Sequence, residues 1–338
     1  MSTNLKFKDL PQGTSFTPGV RNVAAKLGSY DSFQNSSDNM KEFCGLSISG
    51  KEIERIAEAA GEKIEVENKA KIESAFSENV ETERSSEDIP VMYLEYDGTG
   101  IPMTKKETDG RKGKQEDGTS KTREAKLGCI FTQSGTDTEG NPIRDANSTA
   151  YFGAIETAEG FGNRLYAEAV HNGLHRAKKT VVIGDGAKWI WNLANLHFPD
   201  SIKIVDLYHA KEHVFELIKL KTANIFEQNA FKKSWFSLLE AGNISELTNE
   251  ISKIKVDDED KQKKIDREIG YFTENAARMQ YAEFKKQHLF VGSGVIEAGC
   301  KNVIGKRLKQ SGMRWSVRGA NDMIALRCAV LSGSFKAA

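Results

Sequence analysis

Three acidic residues, each beside a glycine-containing turn, are the first candidates for chemistry in this sequence. Asp185 follows the apolar run 181–184 and stands between two glycines. Asp97 directly follows a second run of strand-forming residues, 91–96, and is itself followed by Gly-Thr-Gly. Glu297 follows a Gly-Ser-Gly turn at the start of a helical pattern. Because buried strands end in turns that hold polar residues at the sheet edge, we interpret the three acids as a metal-binding carboxylate trio.

The chemistry that such a trio supports is phosphoryl transfer. Acids at the carboxyl ends of adjacent strands face one crevice, where α/β sheets place their sites. Crowded negative charges repel unless a cation lies between them, and Mg²⁺ or Mn²⁺ accepts oxygen ligands. Two such ions can activate water and stabilise the leaving oxygen of a phosphodiester. We therefore predict that Asp97, Asp185 and Glu297 are both the catalytic residues and the metal ligands, acting on nucleic acid.

Each acid also has a purely structural explanation. Asp97 could start a turn, and Asp185 could begin a turn or cap a helix. Glu297 could stabilise a first helical turn, four residues before Lys301. Any one residue alone is explained well in this way. The three together, on this order of strands, favour catalysis.

An Asp-x-x-His pattern follows directly after another strand pattern at 202–206. It consists of Asp206 and His209, and His213 lies one helical turn further on. His209 and His213 have the spacing of a zinc-binding pair, but the segment lacks the His-Glu-x-x-His arrangement. A structural histidine near the site is the alternative.

The end of the chain is strongly basic, although the formal net charge of the whole protein is zero. From residue 298 onward there are eight basic residues and one acidic residue. Interleaved basic and aromatic side chains suit phosphate contact with some stacking. The alternative is a solvated helix end followed by a tryptophan of the core. The residues that we predict to contact DNA are Lys301, Lys306, Arg307, Lys309, Arg314 and Trp315.

The elements that must position these residues follow one another as three strands, a helix, a strand, a helix and a strand. This order predicts an α/β fold with a mixed sheet flanked by helices, because the last two strands are joined by a helical crossover. From about residue 209 to residue 288 only helical spacing recurs, which predicts an all-helical insertion. Two final helices are expected at 294–308 and 317–331.

The N-terminal part is expected to be helical, with Ser49 as the N-cap of a helix that starts at Gly50. A helix pair here resembles a helix-turn-helix DNA-binding unit, and an ordinary helical bundle is the alternative. The resulting domain prediction is an N-terminal DNA-binding region at 1–88, a core at 89–209 that resumes at 291–338, and the helical insertion at 210–290.

The composition of the chain bounds its class. The 338 residues include 38% hydrophobic and 28% charged residues, which is ordinary for a globular protein. The four cysteines form no Cys-x-x-Cys pair, so free thiols in a reducing cytoplasm are expected. No stretch resembles a signal peptide or reaches membrane-spanning length.

The combined motifs resemble the ISKra family of bacterial insertion-sequence transposases, which belongs to the Mutator-like DDE group. The resemblance covers residues 19–331. The stretches that carry it are Tyr96-Asp97-Gly98-Thr99-Gly100-Ile101-Pro102, Gly184-Asp185-Gly186-Ala187, Asp206-x-x-His209, Gly292-Ser293-Gly294-Val295-Ile296-Glu297 and Gly312-Met313-Arg314-Trp315.

This resemblance implies a ribonuclease-H-like core in which Asp97, Asp185 and Glu297 bind Mg²⁺ or Mn²⁺, two ions in all. It implies that Asp206 and His209 support the active site or bind DNA near it, and that the helical insertion separates Asp185 from Glu297. The implied partners are transposon-end and target DNA, with a homo-oligomer in the synaptic complex and a location at the bacterial nucleoid. Two alternatives stay open: a ribonuclease-H-like nuclease without strand transfer, and a catalytically silent DNA-binding derivative that acts as a repressor.

Overall fold

A five-stranded mixed sheet forms the centre of the fold. The computed structural model describes residues 16–77, 87–113, 115 and 118–335. The apolar run Val181, Val182 and Ile183 is completely buried, as is typical of a strand covered on both faces. The strands of the sheet are β1 (Ile89–Pro102), β2 (Thr122–Gln133), β3 (Ala150–Ala154), β4 (Ala177–Gly184) and β5 (Ile202–Val205). Two further short strands, Gly135–Thr136 and Pro142–Ile143, pair between β2 and β3.

The order of strands across the sheet is β3-β2-β1-β4-β5. The second strand is antiparallel to both of its neighbours, whereas β4 and β5 run parallel to β1. This topology confirms the predicted mixed α/β fold and is consistent with a ribonuclease-H-like core. The parallel register pairs Glu95 of β1 with Ile183 of β4. Asp97 and Asp185 each follow two residues later, so the register brings both aspartates to the same level of the sheet.

Three helices precede the sheet, and the first and third of them pack against the last helix of the chain. Ser49 caps the third of them by accepting a hydrogen bond from the Glu52 backbone N–H, which confirms the predicted cap. Gly61, in the same helix, lies so close to Asp322 that an added Cβ would stand 1.9 Å from the Asp322 carbonyl oxygen. These contacts place the N-terminal helices and the sheet in one apolar core. The three helices are α1 (Pro18–Tyr30), α2 (Phe33–Cys44) and α3 (Gly50–Ala75).

The remaining helices cover the sheet and form the helical block that follows β5. Both ends of this block meet, because the Leu207 backbone N–H donates to the Val291 carbonyl oxygen at 2.9 Å. The longer helices are α4 (Ala158–His171), α5 (Lys188–His197), α6 (Leu207–Lys221), α7 (Ile225–Ala241), α8 (Ile244–Ser252), α9 (Glu259–Asn275), α10 (Tyr281–Lys286), α11 (Gly294–Gly299) and α12 (Val317–Leu331). Short helical turns occur at Lys105–Thr108, Leu174–Arg176 and Ala276–Arg278.

The helix expected at 294–308 is not a regular α-helix throughout. After α11 the chain forms a π-helical turn, Cys300–Gly305, and then a single helical turn, Lys306–Leu308. Such π-turns inside helices frequently lie at functional sites. Of the helices in the described ranges, none is both long enough and apolar enough to cross a bilayer.

Candidate active site

Asp97 and Asp185 lie side by side where the parallel pairing of β1 and β4 stops. Asp97 Oδ1 accepts the Gly98 backbone N–H at 2.6 Å, and Asp185 Oδ1 accepts the Ala187 N–H at 2.8 Å. Burial raises the pKa of the Asp97 carboxyl, and the negative charge of Asp185 raises it further. The two carboxylates are therefore close enough to repel each other.

The sequence suggested that Asp97 lies past the end of its strand, but in the structure Asp97 lies within the strand. The first strand continues to Pro102 because it remains paired with β2 through that residue. Its parallel partner β4 is paired only as far as Glu95 and Ile183. Beyond that level β1 has a free edge on the β4 side, and Asp97 lies at this opening.

The turn at Asp185 requires glycine for two reasons. Gly186 has φ +101°, a left-handed conformation that side chains rarely adopt. A Cβ there would also stand 2.5 Å from the ring of Tyr271. The Tyr271 hydroxyl donates to the Asp185 carbonyl oxygen at 3.0 Å, so the helical block contacts the turn directly.

Glu297 lies on α11, the helix that follows the Gly-Ser-Gly turn. Its side chain is exposed, and its Oε1 accepts a hydrogen bond from the Ser293 hydroxyl at 3.3 Å. One turn later, the Cys300 thiol donates to Asp97 Oδ2 at 3.7 Å. Burial raises the pKa of Cys300 to about 12, with Asp97 and then Glu297 adding negative charge nearby. Cys300 thus lies within electrostatic reach of both acids.

A fourth acid, Glu95, lies beneath the site and was not predicted. Its side chain is completely buried, and Oε2 accepts the Ile296 backbone N–H at 2.9 Å. Burial raises its pKa to about 8, and the charges of Asp206 and Glu297 contribute. Its Oε1 has no hydrogen-bond partner among the described residues. Glu95 therefore joins β1 to the start of the helix that carries Glu297. The sequence signal that could have identified Glu95 is an acid inside the apolar run 91–96.

Asp206 connects the end of β5 to the turn before Glu297. It is 1% exposed and caps α6, because Oδ1 accepts the His209 backbone N–H at 2.5 Å. Its other oxygen, Oδ2, accepts the Ser293 backbone N–H. The position of Asp206 is thus compatible with the predicted supporting role.

His209 belongs to a chain of side chains that reaches into the helical block. Its Nε2 lies 3.1 Å from His213 Nε2, and His213 Nδ1 lies 2.6 Å from Glu268 Oε2. The His213 ring stacks on Tyr271 with centroids 4.3 Å apart. A positive charge on His209 acts on Asp97 to lower its pKa, against the effect of burial. The histidines contact each other and Glu268, so a structural pair explains them better than the zinc alternative.

No metal centre is formed in advance by the side chains. Within the described ranges, no group of three or more His, Cys, Asp and Glu residues is arranged to hold a metal ion. The chemistry of the aspartates nevertheless fits a hard cation, because carboxylate oxygens are the ligands that Mg²⁺ prefers. Asp97 Oδ2 contacts only a weak thiol donor, and the repulsion from Asp185 is a charge that such a cation would offset. The two-ion site stays a prediction.

The predicted DNA-contacting residues divide into two groups. The exposed ones are Lys301, Lys306, Lys309 and Arg314. Lys309 contacts β1 two positions after Asp97, where its Nζ donates to the Thr99 hydroxyl at 2.5 Å.

Arg307 and Trp315 do not fit the predicted DNA contact. The Arg307 side chain is completely buried, with its guanidinium 4.4 Å from the ring centre of Phe33 and 5.1 Å from that of Trp315. Its Nε donates to the Gly28 carbonyl oxygen at 2.8 Å. Trp315 is 7% exposed and donates to the Leu308 carbonyl oxygen. Both residues fasten the C-terminal segment to α1 and α2, which corrects the prediction for these two positions.

Comparisons with known proteins give a family match over most of the chain and a weak structural likeness. The model of a family described as "Uncharacterised protein family (UPF0236)" matches residues 9–338. No curated protein matches the chain. Among solved structures, the Drosophila P element transposase strand transfer complex is similar with a TM-score of 0.33 and 10% identity, over 96% of this chain and 80% of that chain. No functional conclusion rests on a likeness this low, and neither match confirms the ISKra family specifically.

Proposed function

The chain belongs to the uncharacterised protein family UPF0236, and we propose that it is a DNA transposase whose catalytic carboxylates are Asp97, Asp185 and Glu297. The observation that carries the proposal is the register of β1 on β4, which brings the two aspartates to one level at a free strand edge. The contacts of Cys300 with Asp97, and of Glu95 with Ile296, bring the start of α11 to the same edge. Glu297 is therefore held near the aspartates, although 112 residues separate it from Asp185.

The proposed division of labour follows from these contacts. Asp97 and Asp185 would hold Mg²⁺ or Mn²⁺, and Glu297, carried by α11, would complete the ligand set. The metal ions would activate water and stabilise charge on the leaving oxygen. Asp206 and Glu95 act as positioning residues, since they accept hydrogen bonds from the backbone N–H groups of Ser293 and Ile296.

The reaction has two steps. In the first, a water oxygen forms a bond to a phosphorus at the transposon end while the bond to the 3′-oxygen breaks, which leaves a 3′-hydroxyl and a 5′-phosphate. The proton lost by the water passes to solvent, and the leaving oxygen gains one. In the second, that 3′-hydroxyl attacks a target phosphodiester and displaces another 3′-hydroxyl. No covalent link between protein and DNA is needed.

The decisive test combines cleavage with metal binding. We expect wild-type protein with Mn²⁺ to cut duplexes that contain the DNA flanking its own gene. Asp97→Asn and Asp185→Asn should each lower the cutting rate by about a thousandfold or more, about 4 kcal/mol of barrier, while DNA affinity is retained. Asp200→Asn, at an exposed turn, is the matched control and should cut normally. Mn²⁺ binding followed by electron paramagnetic resonance should weaken in the first two variants only.

Three outcomes would redirect the proposal. Metal-dependent cutting that survives Asp97→Asn would remove this residue from the mechanism. Pre-cut ends that are hydrolysed but never joined to a second duplex would identify a nuclease without strand transfer. Binding of DNA with no cutting under any metal would favour a catalytically silent repressor.

Joining two ends at one target requires both ends in one complex. We therefore include a homo-oligomer in the proposal. Light scattering of the protein with and without end DNA tests it, and a single copy bound to each duplex under joining conditions would contradict it.

A further inference from the structure

The connection between β1 and β2 is a basic arm, comprising residues 103–121, with an ordered base. The Met103 backbone N–H donates to the Lys121 carbonyl oxygen at 3.0 Å and closes the arm. Further out, Lys112 and Thr119 form a bridge, and the Gly113 N–H donates to the Gly118 carbonyl oxygen at 2.9 Å. The arm is thus a hairpin-like excursion from the sheet rather than an unstructured connection.

The arm and the C-terminal segment surround a cavity of about 470 Å³ with an unbalanced charge. Among its described lining residues, Asp109 is the single acid. The basic lining residues are Lys105, Arg111, Lys112, Lys121 and Arg314. All five are exposed, and the structure gives none of them an ion-pair partner in the described part of the chain. Lys114, Glu116 and Asp117, also in the arm, lie outside the described residues.

Some cations elsewhere on this surface are paired with an acid. In the helical block, Lys211, Lys219 and Lys253 each lie within 2.6 Å of a glutamate oxygen. A lysine neutralised in this way releases few counterions on binding a polyanion, whereas an unpaired one contributes fully. The cavity at the basic arm therefore has the charge pattern of a phosphate-binding surface.

The arm is fixed relative to the carboxylates. The Thr104 N–H donates to the Trp315 carbonyl oxygen at 2.9 Å, and the Val317 N–H donates to Glu107 Oε1 at 3.2 Å. Within β1, six residues separate Asp97 from the start of the arm, which at about 3.3 Å per residue is roughly 20 Å. Duplex DNA advances about 3.4 Å per base pair along its axis, so this length spans roughly six base pairs.

We propose that the basic arm, together with Arg314, binds the phosphate backbone of duplex DNA about six base pairs from the phosphate that lies at Asp97 and Asp185. This inference rests on the proposed function, since it extends the DNA path away from the carboxylates. Lys309 contacts Thr99, which lies on β1 between Asp97 and the basic arm. It therefore adds a positive charge between the carboxylates and the arm.

The test compares two triple variants with equal loss of charge. Arg111→Gln/Lys112→Gln/Lys121→Gln removes three cations from the basic arm. Lys179→Gln/Lys233→Gln/Lys255→Gln removes three exposed lysines that have no ion-pair partner among the described residues and serves as the control. Fluorescence anisotropy with a labelled 40-base-pair duplex is measured between about 50 and 200 mM KCl. The slope of log affinity against log salt should fall by about 2 to 3 in the arm variant and stay near wild type in the control.

The location is tested with trimmed DNA. Once the cut site is mapped, two duplexes are compared, one extending about 4 and the other about 12 base pairs beyond the cut on each side. These lengths bracket the expected distance of about six base pairs between the cut and the basic arm. Wild-type protein should lose salt slope on the shorter duplex, whereas the arm variant should show the same slope on both. Equal slopes for wild type on both lengths would overturn the placement of the arm.

The outcomes separate this inference from the proposed function. If Asp97→Asn abolishes cutting while the arm variant keeps the wild-type slope, the function stands and the role of the arm is overturned. An equal loss of slope in the arm variant and the control would also overturn it, because the effect would then be one of overall charge. If the wild-type protein neither binds nor cuts DNA, both the proposed function and the role of the basic arm are wrong.

Discussion

The tether between Asp206 and Ser293 leads to a quantitative expectation. Asn in place of Asp206 keeps the volume and keeps an oxygen to cap α6, because Asn is as good an N-cap as Asp. It replaces Oδ2, which accepts the Ser293 N–H, with an amide that can only donate. One charge-assisted hydrogen bond is lost. The new amide group and the Ser293 N–H are then two donors that face each other at a position that is 1% exposed. A hydrogen bond to a charged group contributes about 1.5–3 kcal/mol, so we expect Asp206→Asn to lower the free energy of unfolding by about that amount.

Asp258→Asn is the matched control. Asp258 also caps a helix and also accepts two backbone N–H groups, but it is exposed and both donors belong to its own helix. Its replacement by Asn should leave stability unchanged. Urea unfolding followed by tryptophan fluorescence measures both variants. A midpoint for Asp206→Asn that equals that of Asp258→Asn would refute the tether and reduce Asp206 to a helix cap.

The same tether should affect cutting. Four residues separate Ser293 from Glu297, and the loosened turn should lower the cleavage rate of Asp206→Asn at a temperature where the protein is still fully folded. A normal rate in a destabilised variant would show that the Ser293 contact contributes to folding alone.

Two further predictions concern the packing of α3 on α12. Gly61→Ala should lower the free energy of unfolding by about 1–3 kcal/mol, because the new methyl group meets the Asp322 carbonyl oxygen. Gly270→Ala, in open space on α9, is the control and should raise the free energy of unfolding by about 0.5–1 kcal/mol. Equal effects of the two substitutions in urea unfolding would contradict the close contact at Gly61. Burial raises the pKa of Asp322 to about 6, above its ordinary value of 3.8. The folded state then holds this proton more tightly than the unfolded state, so the contribution of Asp322 to stability falls as pH rises from about 4 to 6. Asp322→Asn should therefore gain stability relative to wild type between pH 4.5 and pH 7.5, and a constant difference in urea midpoint would contradict this.

The sequence was sufficient for the features that depend on local pattern. Apolar runs such as 181–184 predicted strands, because a strand covered on both faces must be apolar throughout. Ser49 was recognisable as a cap, since capping depends on the residue type and the helix that follows. The order of strands and helices limited the sheet to few topologies.

Features that depend on distant neighbours were missed. Arginine is a residue type that usually lies on the surface. The burial of Arg307 is compensated by the rings of Phe33 and Trp315 and by the Gly28 carbonyl oxygen, and the first and last of these are distant in the chain. The extension of β1 past Asp97 follows from its pairing with β2, which continues beyond the end of β4. Glu95 looked like an interruption of a strand, and its purpose is visible only when Ile296 is beside it. The three carboxylates could be proposed from the sequence because their glycine-containing turns mark them locally.

The contacts that assemble the candidate site join residues about two hundred positions apart, and this has a consequence for biosynthesis. Glu95 meets Ile296, and Asp97 meets Cys300. At about 5–20 residues per second, the ribosome adds the second half of these pairs roughly 10–40 s after the first. A nascent or prematurely terminated chain that stops within the helical block therefore carries both aspartates without the glutamate. On the proposed function, such a chain would lack the complete set of carboxylates needed to cut DNA.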